Sequence, residues 1–403
     1  MSWISFSAPS VDAEALDKEL DSMPQEQKEE AHRDMYGLDE PIFESEAFLK
    51  HKLQLLDQVL VDANREESAL IQSSLQDLER ALSKVTKEEA ERLLIESTFA
   101  YTQCDLLVEM FQRASFLEIV DADTEDYYKR ILDARTTLDK MAMMLFDGVK
   151  GAFQQAQVLC PGYVNSDRFR LMFLRAERFD ENAAARRLML YWQEKVQIFG
   201  PEKAFREITL NDFEPEDQRA VNCGGIMLLP QRDNAGRAII FSIRSKWDTR
   251  SDHRKSMLKW IWYVYHTAAE DEGIQRNGVV AVATTTPFNN TSAETASETD
   301  AVNSVLSSSF DRKLEKKIGV MVLKALPVRM VAFHHIRRRK YISSIIFPFI
   351  LFLIGPKMRA RFRQHDGNDV DECLAAFESY GMPPEILPTE IGGTLQLDYR
   401  PLL

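Results

Sequence analysis

Apolar positions recur at helical spacing through the first half of the chain. Between residues 45 and 158 there is no proline and almost no glycine. Thr86 with Glu89 forms a capping box that predicts a helix start. Leu93, Ala100, Cys104, Leu107, Phe111 and Ala114 then fall on one helical face. A second helix from about Asp123 carries the stripe Ile131, Ala134, Leu138, Met141, Leu145, Val149, Ala152 and Ala156. These stripes are read as helix-on-helix core rather than as a partner groove. Pro161-Gly162 ends the block. The first 44 residues are acidic and poor in periodicity, and are read as a mobile lead with room for one short helix.

Residues 166–200 form a helical pair. Its second helix starts at Asp180 after an Arg-Phe turn and stops at Gly200-Pro201. From Gly224 the pattern turns strand-like. Gly225–Leu229 and Ala238–Ile243 flank the turn signal Asp233-Asn234-Ala235-Gly236. An aromatic-rich helix over Ser256–Asp271 follows, containing Trp260, Trp262, Tyr263 and Tyr265. Val279–Ala283 and Arg329–Phe333 are further strands. Strands alternating with helices predict an α/β fold with a mixed, largely parallel sheet, preceded by an all-α N-terminal region. The divisions are 1–44, 45–160, 161–210 and 211–403, with a low-complexity loop over 284–309.

The densest apolar run is Ile345–Ile354, interrupted by Pro348. It is well short of the ~20 residues of a membrane span. It is too apolar for a helix with one wet face, so it is read as buried or as lying against lipid. A gate over an apolar cavity satisfies both. Cations flank it: Arg337, Arg338, Arg339 and Lys340 before, Lys357, Arg359, Arg361 and Arg363 after. Lys324 to His365 holds ten Lys/Arg and no Asp or Glu, in a chain of net charge -13. Segregated cations beside an apolar face suit an anionic membrane or an amphiphile with an anionic head.

The acidic balance argues against a general nucleic-acid binder. Four scattered cysteines give neither a zinc site nor a disulfide framework, and are read as free thiols in a reducing compartment. The N-terminus has no secretory or transit pattern. No phosphate loop, dinucleotide fingerprint, nucleophile elbow or HExxH is present, which lowers the expectation of an enzyme. His334-His335 point to opposite faces of a strand, so they do not chelate one ion. The cluster Asp121, Asp123, Glu125 and Asp126 lacks a calcium loop's glycine and terminal Glu, and reads as a helix N-terminus. No metal or cofactor is expected.

Several segments resemble the CRAL-TRIO lipid-transfer family in its order and spacing. They are FRLMFLRAERFDENAAARRL (Phe169–Leu188), GRAIIFSIRSKWD (Gly236–Asp248), RNGVVAVAT (Arg276–Thr284), LPVRMVAFHHI (Leu326–Ile336), RARFRQHDG and LPTEIGGTL (Leu387–Leu395). The resemblance covers about Ser166 to Leu397 and leaves the first 160 residues unmatched. It implies a helical module beside an α/β domain whose sheet floors a lipid pocket closed by a gating helix. Phosphatidylinositol, phosphatidylcholine, tocopherol and retinal are ligands of such pockets. The chain departs from the family pattern in three places. Thr284-Thr285-Thr286 stands where an Asp often ends the central strand. Val328 replaces a Glu common in the phosphatidylinositol branch. Glu177 replaces a basic residue after Arg175. Arg361 keeps the charge of a family lysine and adds a bidentate fork.

The resulting expectation is a non-enzymatic, cytoplasmic, peripheral membrane protein. It binds one hydrophobic or phosphorylated lipid, such as a phosphoinositide, and transfers it between membranes. Pocket and gate are assigned to Trp260, Tyr263, Ile345, Ile346, Phe347, Phe349, Ile350, Phe352 and Leu353. Head-group and membrane contacts are assigned to Arg175, Arg337–Lys340, Lys357, Arg359, Arg361 and Arg363. The alternative is a membrane-recruited signalling adaptor whose helices over 45–160 bind a protein partner.

Overall fold

A computed structural model describes residues 13–63, 149–247, 253–288, 312–337, 351, 354–355 and 357–398. The Thr86–Glu89 box, most of the two long stripes, residues 289–309, Arg338–Lys340 and most of the 345–354 run lie outside them. The chain divides into two units, Met1–Leu53 with Gly162–Leu403, and Gln54–Pro161. In the second unit the described residues 54–63 and α3 (Val149–Leu159) are helical.

The first unit opens with helices α1 (Ala13–Ser22) and α2 (Gln25–Tyr36). The acidic lead thus carries two helices where the sequence suggests one short one. Pro24 lets α2 begin, and Gly37 closes it with a left-handed turn at φ 64°. Met35 is wholly buried and Ala31 nearly so, which ties α2 to the sheet. Acid patterning hid this helix, because only one of its faces is apolar and that face is short.

Helices α4 (Asp167–Ala176) and α5 (Glu181–Phe199) are capped by Ser166 and Asp180, whose side chains accept from Phe169 and Ala183 N–H. Between them Arg178 and Phe179 both sit at positive φ, 50° and 64°. Two such residues cost on the order of 1–2 kcal/mol each. Burial of Phe179 against Phe48 and an ion pair of Arg178 with Asp39 hold the turn. Tyr191 of α5 packs edge-on to Phe169 and Phe173 of α4. Lys195, wholly buried, lies under the rings of Tyr163, Tyr191, Trp192 and Trp262 and donates to the Arg206 carbonyl at 2.7 Å.

The sheet comprises β1 (Ile226–Arg232), β2 (Ala238–Ile243), β3 (Val279–Thr284), β4 (Met330–Arg337) and β5 (Phe362–Asp366), in that spatial order. β1 runs antiparallel to β2 and the other neighbours are parallel. This is the mixed, largely parallel sheet the sequence predicts, with β5 added at the edge. Helices α6 (Arg254–Ala269) and α7 (Glu272–Asn277) connect β2 to β3. Helix α8 (Arg312–Val320) runs into a π-helical turn, Met321–Ala325, before β4. Helix α9 (Val370–Ser379) follows β5, with Asp369 as its N-cap.

One face of the sheet is the core. Ile239, Phe241, Ile243, Val280, Val282 and Ile336 pack there with Cys373 and Phe377 of α9, Met35 of α2, and Leu387 and Ile391. Each such large side chain, fully buried, contributes roughly 1.5–3 kcal/mol. The LPTEIGGTL segment closes this face. Leu395 N–H donates to Leu387 O and Thr389 N–H to Leu395 O. A Cβ on Gly393 would lie 2.0 Å from the Leu387 carbonyl oxygen, and Gly392 sits at φ 88°. The two glycines are thus required by the loop itself.

Candidate functional site

The opposite face of the sheet is not filled. A cavity of about 170 Å³ lies against it. Its floor is Ile226 of β1, Ile240 and Ser242 of β2, Ala281 and Ala283 of β3, and Phe333 and His335 of β4. Successive strand residues point to opposite faces, so these side chains alternate with the core set. Small residues create the space, since Ala281 and Ala283 occupy the positions where a parallel strand usually carries Val or Ile. The alternation was visible in VVAVAT, and it is the sequence signal that would have found the cavity floor.

Helices form the walls. Ile261 and Tyr265, one turn apart on α6, face the cavity. Ile318 and Gly319 of α8 and Val322 and Leu323 of the π turn face it from the other side. A Cβ placed on Gly319 would meet nothing within 4 Å. The π turn disturbs the helical carbonyl ladder, and Arg187 of α5 satisfies the released groups. It donates to the carbonyls of Leu323 (2.9 Å) and Leu326 (2.6 Å), while pairing with Glu177.

The polar groups in this cavity are few. Arg244 and Glu315 form an ion pair there, and the Arg244 guanidinium stacks 3.7 Å from the centre of the Trp247 ring. Burial presses the Arg244 pKa downward. His335 is pulled down to about 4, mainly by burial and further by Arg244, so it is neutral near pH 7. Burial raises the Tyr265 hydroxyl pKa, which keeps it neutral as well. On the core face, His334 hydrogen-bonds His365 across β4 and β5 at 2.9 Å. The adjacent histidines thus point to opposite faces, as expected, and serve two separate environments.

The expected site residues divide. Trp260 and Tyr263 do not line the cavity. They stack on each other and meet Phe213 edge-on, and Trp260 donates to the Ile226 carbonyl. The helical phase explains the correction: Ile261 and Tyr265 face the cavity, and their neighbours turn away by about 100° per residue. Ile345, Ile346, Phe347, Phe349, Ile350, Phe352 and Leu353 lie outside the described residues. Their neighbour Ile354, and Met358 just beyond, do line the cavity.

The basic set is mostly engaged. Arg175 is buried and holds Glu44 with two nitrogens, at 3.1 and 2.7 Å, and Gln275 with a third. It ties α4 to the 37–45 segment. Arg361 is buried against Asp34 (2.7 Å) and Glu30 (3.2 Å) and donates to the Lys357 carbonyl. Arg359 is buried in a two-point pair with Glu19 and donates to the Leu351 carbonyl at 2.8 Å. Arg363, half-buried, bonds the carbonyls of Ala360 and Phe362. Arg337 is half-buried and Lys357 exposed. An open basic patch over 357–363 is therefore not what the fold presents, because acidic residues of α1 and α2 occupy it. Sequence reading missed this, since the partners lie more than 300 residues away.

A second, tighter polar cluster lies where the 34–44 segment crosses the sheet end. Asp34 and Asp39 both meet Arg329, at 2.7 and 2.9 Å. Burial pushes the Asp39 carboxyl up, but Arg329 and Arg178 outweigh it and hold it below its ordinary value. Glu44 is lowered in the same way, with Arg175 and Arg276 overcoming burial. Arg237, wholly buried, donates to the carbonyls of Asp34, Met35 and Tyr380.

No family model matches the chain. It is 26% identical over 239 residues to Clavesin-1 of Xenopus laevis and 27% identical over 239 residues to Clavesin-1 of Mus musculus. It is 24% identical over 229 residues to the Alpha-tocopherol transfer protein-like protein of Homo sapiens. Each match covers 57% of this chain and, respectively, 61%, 57% and 58% of the relative. The chain thus spans about three-fifths of the length of the curated relatives it matches. Among the described residues no helix is long and apolar enough to cross a membrane.

Proposed function

We propose, from the premise that the chain is a relative of the CRAL-TRIO proteins, that it binds one hydrophobic lipid and transfers it between membranes. The observation that carries this reading is the cavity of about 170 Å³ between the sheet and α6, α8 and the π turn. Its floor is largely apolar, with the small residues Ser242, Ala281 and Ala283 between larger ones. Its titratable lining groups His335 and Tyr265 are neutral near pH 7. Such a space takes an uncharged apolar body, with the Arg244–Glu315 pair as the polar point that orients it.

The protein works as a peripheral, cytoplasmic membrane protein in this reading. It docks on anionic lipid through the basic segment that follows β4, including Lys357 and the sequence run Arg337–Lys340. Each cation near an anionic leaflet contributes about 1 kcal/mol, so docking is salt-sensitive. A phosphorylated lipid such as a phosphoinositide fits the same segment. The test is mass spectrometry of lipid co-purifying with the protein, followed by transfer of that lipid between donor and acceptor vesicles. A single lipid class in stoichiometric amount, moved faster than the spontaneous rate, supports the proposal. Protein free of lipid and without transfer activity overturns it.

A further inference from the structure

Arg359 is the cation of the basic segment whose partner is least anchored. Its guanidinium forks onto both carboxylate oxygens of Glu19, at 2.5 Å each. Glu19 belongs to α1, and none of the described side chains of α1 is buried. α2 differs. Met35 is wholly buried, Arg237 bonds the carbonyls of Asp34 and Met35, and Asp34 is buried between Arg329 and Arg361. The break between the two helices falls at Pro24, which lacks the N–H that would continue α1. α2 is therefore fixed to the sheet, while among the described side chains of α1 Leu16 and Leu20 are only half-buried and Glu19 makes the ion pair to Arg359.

The net charge on α1 is negative. Ala13–Ser22 contains Glu14, Asp17, Glu19 and Asp21 against Lys18 alone. An anionic surface repels this helix and attracts the arginine beneath it. Arg359 also sits close to the cavity. It donates to the Leu351 carbonyl, and Met358 beside it lines the cavity wall. Lys357, exposed two residues earlier, places a second cation on the same short helical stretch.

We propose that α1 is an acidic cover over Arg359, and that an anionic membrane surface exchanges with the Glu19 carboxylate. The free protein keeps its cavity-side arginine neutralised. On a membrane the phosphate and carboxylate groups of the lipid heads take the place of Glu19, and α1 leaves. This inference rests on the membrane-docking reading above.

The experiment uses the full chain and vesicles of phosphatidylcholine, with and without phosphatidylserine. Glu19→Gln removes the carboxylate that neutralises Arg359 without removing the helix. It is expected to bind the phosphatidylserine vesicles about fivefold more tightly than the unaltered chain, the effect of one freed cation at the surface. Binding to pure phosphatidylcholine should not change. Glu378→Gln, an exposed acid on α9, makes the same change in net charge and should leave binding as it is. Hydrogen exchange gives a second readout: α1 amides of the unaltered chain should exchange faster on phosphatidylserine vesicles and not on phosphatidylcholine. Equal binding by Glu19→Gln and the unaltered chain, with α1 protection unchanged, overturns the cover and leaves docking standing. No binding of either chain to phosphatidylserine vesicles overturns both.

Discussion

Gly319 offers the sharpest test of the cavity. It sits in the last turn of α8, faces the cavity, and has open space where a Cβ would lie. An empty volume of about 170 Å³, at about 24 cal/mol per Å³, represents up to roughly 4 kcal/mol of unrealised stability. Gly319→Ala gains about 1 kcal/mol of helix propensity and little volume. Gly319→Leu gains nearly the same propensity and buries three further carbons, at about 0.8 kcal/mol each. The delipidated Leu variant should therefore be about 3 kcal/mol more stable than the unaltered chain in urea unfolding, and the Ala variant about 1 kcal/mol. Lipid load separates the two further. The Leu side chain occupies the ligand's space, so co-purifying lipid should fall to background, while the Ala variant keeps it. A Leu variant that retains its full lipid load, or unfolds at lower urea than the Ala variant, would refute the reasoning.

Three other outcomes follow from the geometry. Arg244→Met leaves Glu315 buried without its ion-pair partner and should lower stability by about 3–5 kcal/mol, whereas Arg244→Met with Glu315→Met should recover most of that loss in the same urea titration. Arg187→Met removes two charge-assisted bonds to the carbonyls at the π turn and should cost about 3 kcal/mol; an unchanged unfolding midpoint would show that the π turn needs no such support. His335 and His365 are both held near pKa 4 by burial, below the ordinary 6.5, so the unfolded chain binds more protons between those values. Their contribution, about 3 kcal/mol each, is present above pH 6.5 and lost as pH falls toward 4. Asp39 and Glu44, also lowered, add a loss at still lower pH, as it falls through their folded values. A stability profile flat from pH 7 to 4 would contradict the burial of these histidines.

Much of the sheet was legible along the chain. Ala238–Ile243 is a strand at the predicted residues, and β1, β3 and β4 differ from prediction only at their ends. These strands are buried or half-buried, and their apolar residues follow from that. β5 was read only as a basic segment, because an edge strand rich in Arg, Gln and His carries no apolar run. α1 and α2 were hidden by their acidity, which looks like the composition of a mobile lead when their arginine partners are not in view.

The sequence by itself determined the layered α/β fold, the family resemblance and the segregation of cations after β4. Each of these is written in local pattern: periodicity, turn residues, charge runs. Only the tertiary structure decided which of those residues face one another. Trp260 and Tyr263 belong to the same aromatic helix as Tyr265, yet the phase of α6 against the sheet gives the cavity to Tyr265 and Ile261. Arg359 and Arg361 read as free cations in the chain and are closed by Glu19, Glu30 and Asp34 in the fold. The reason is physical. A charge is solvated or neutralised according to what lies within a few ångströms, and sequence spacing does not carry that distance across three hundred residues.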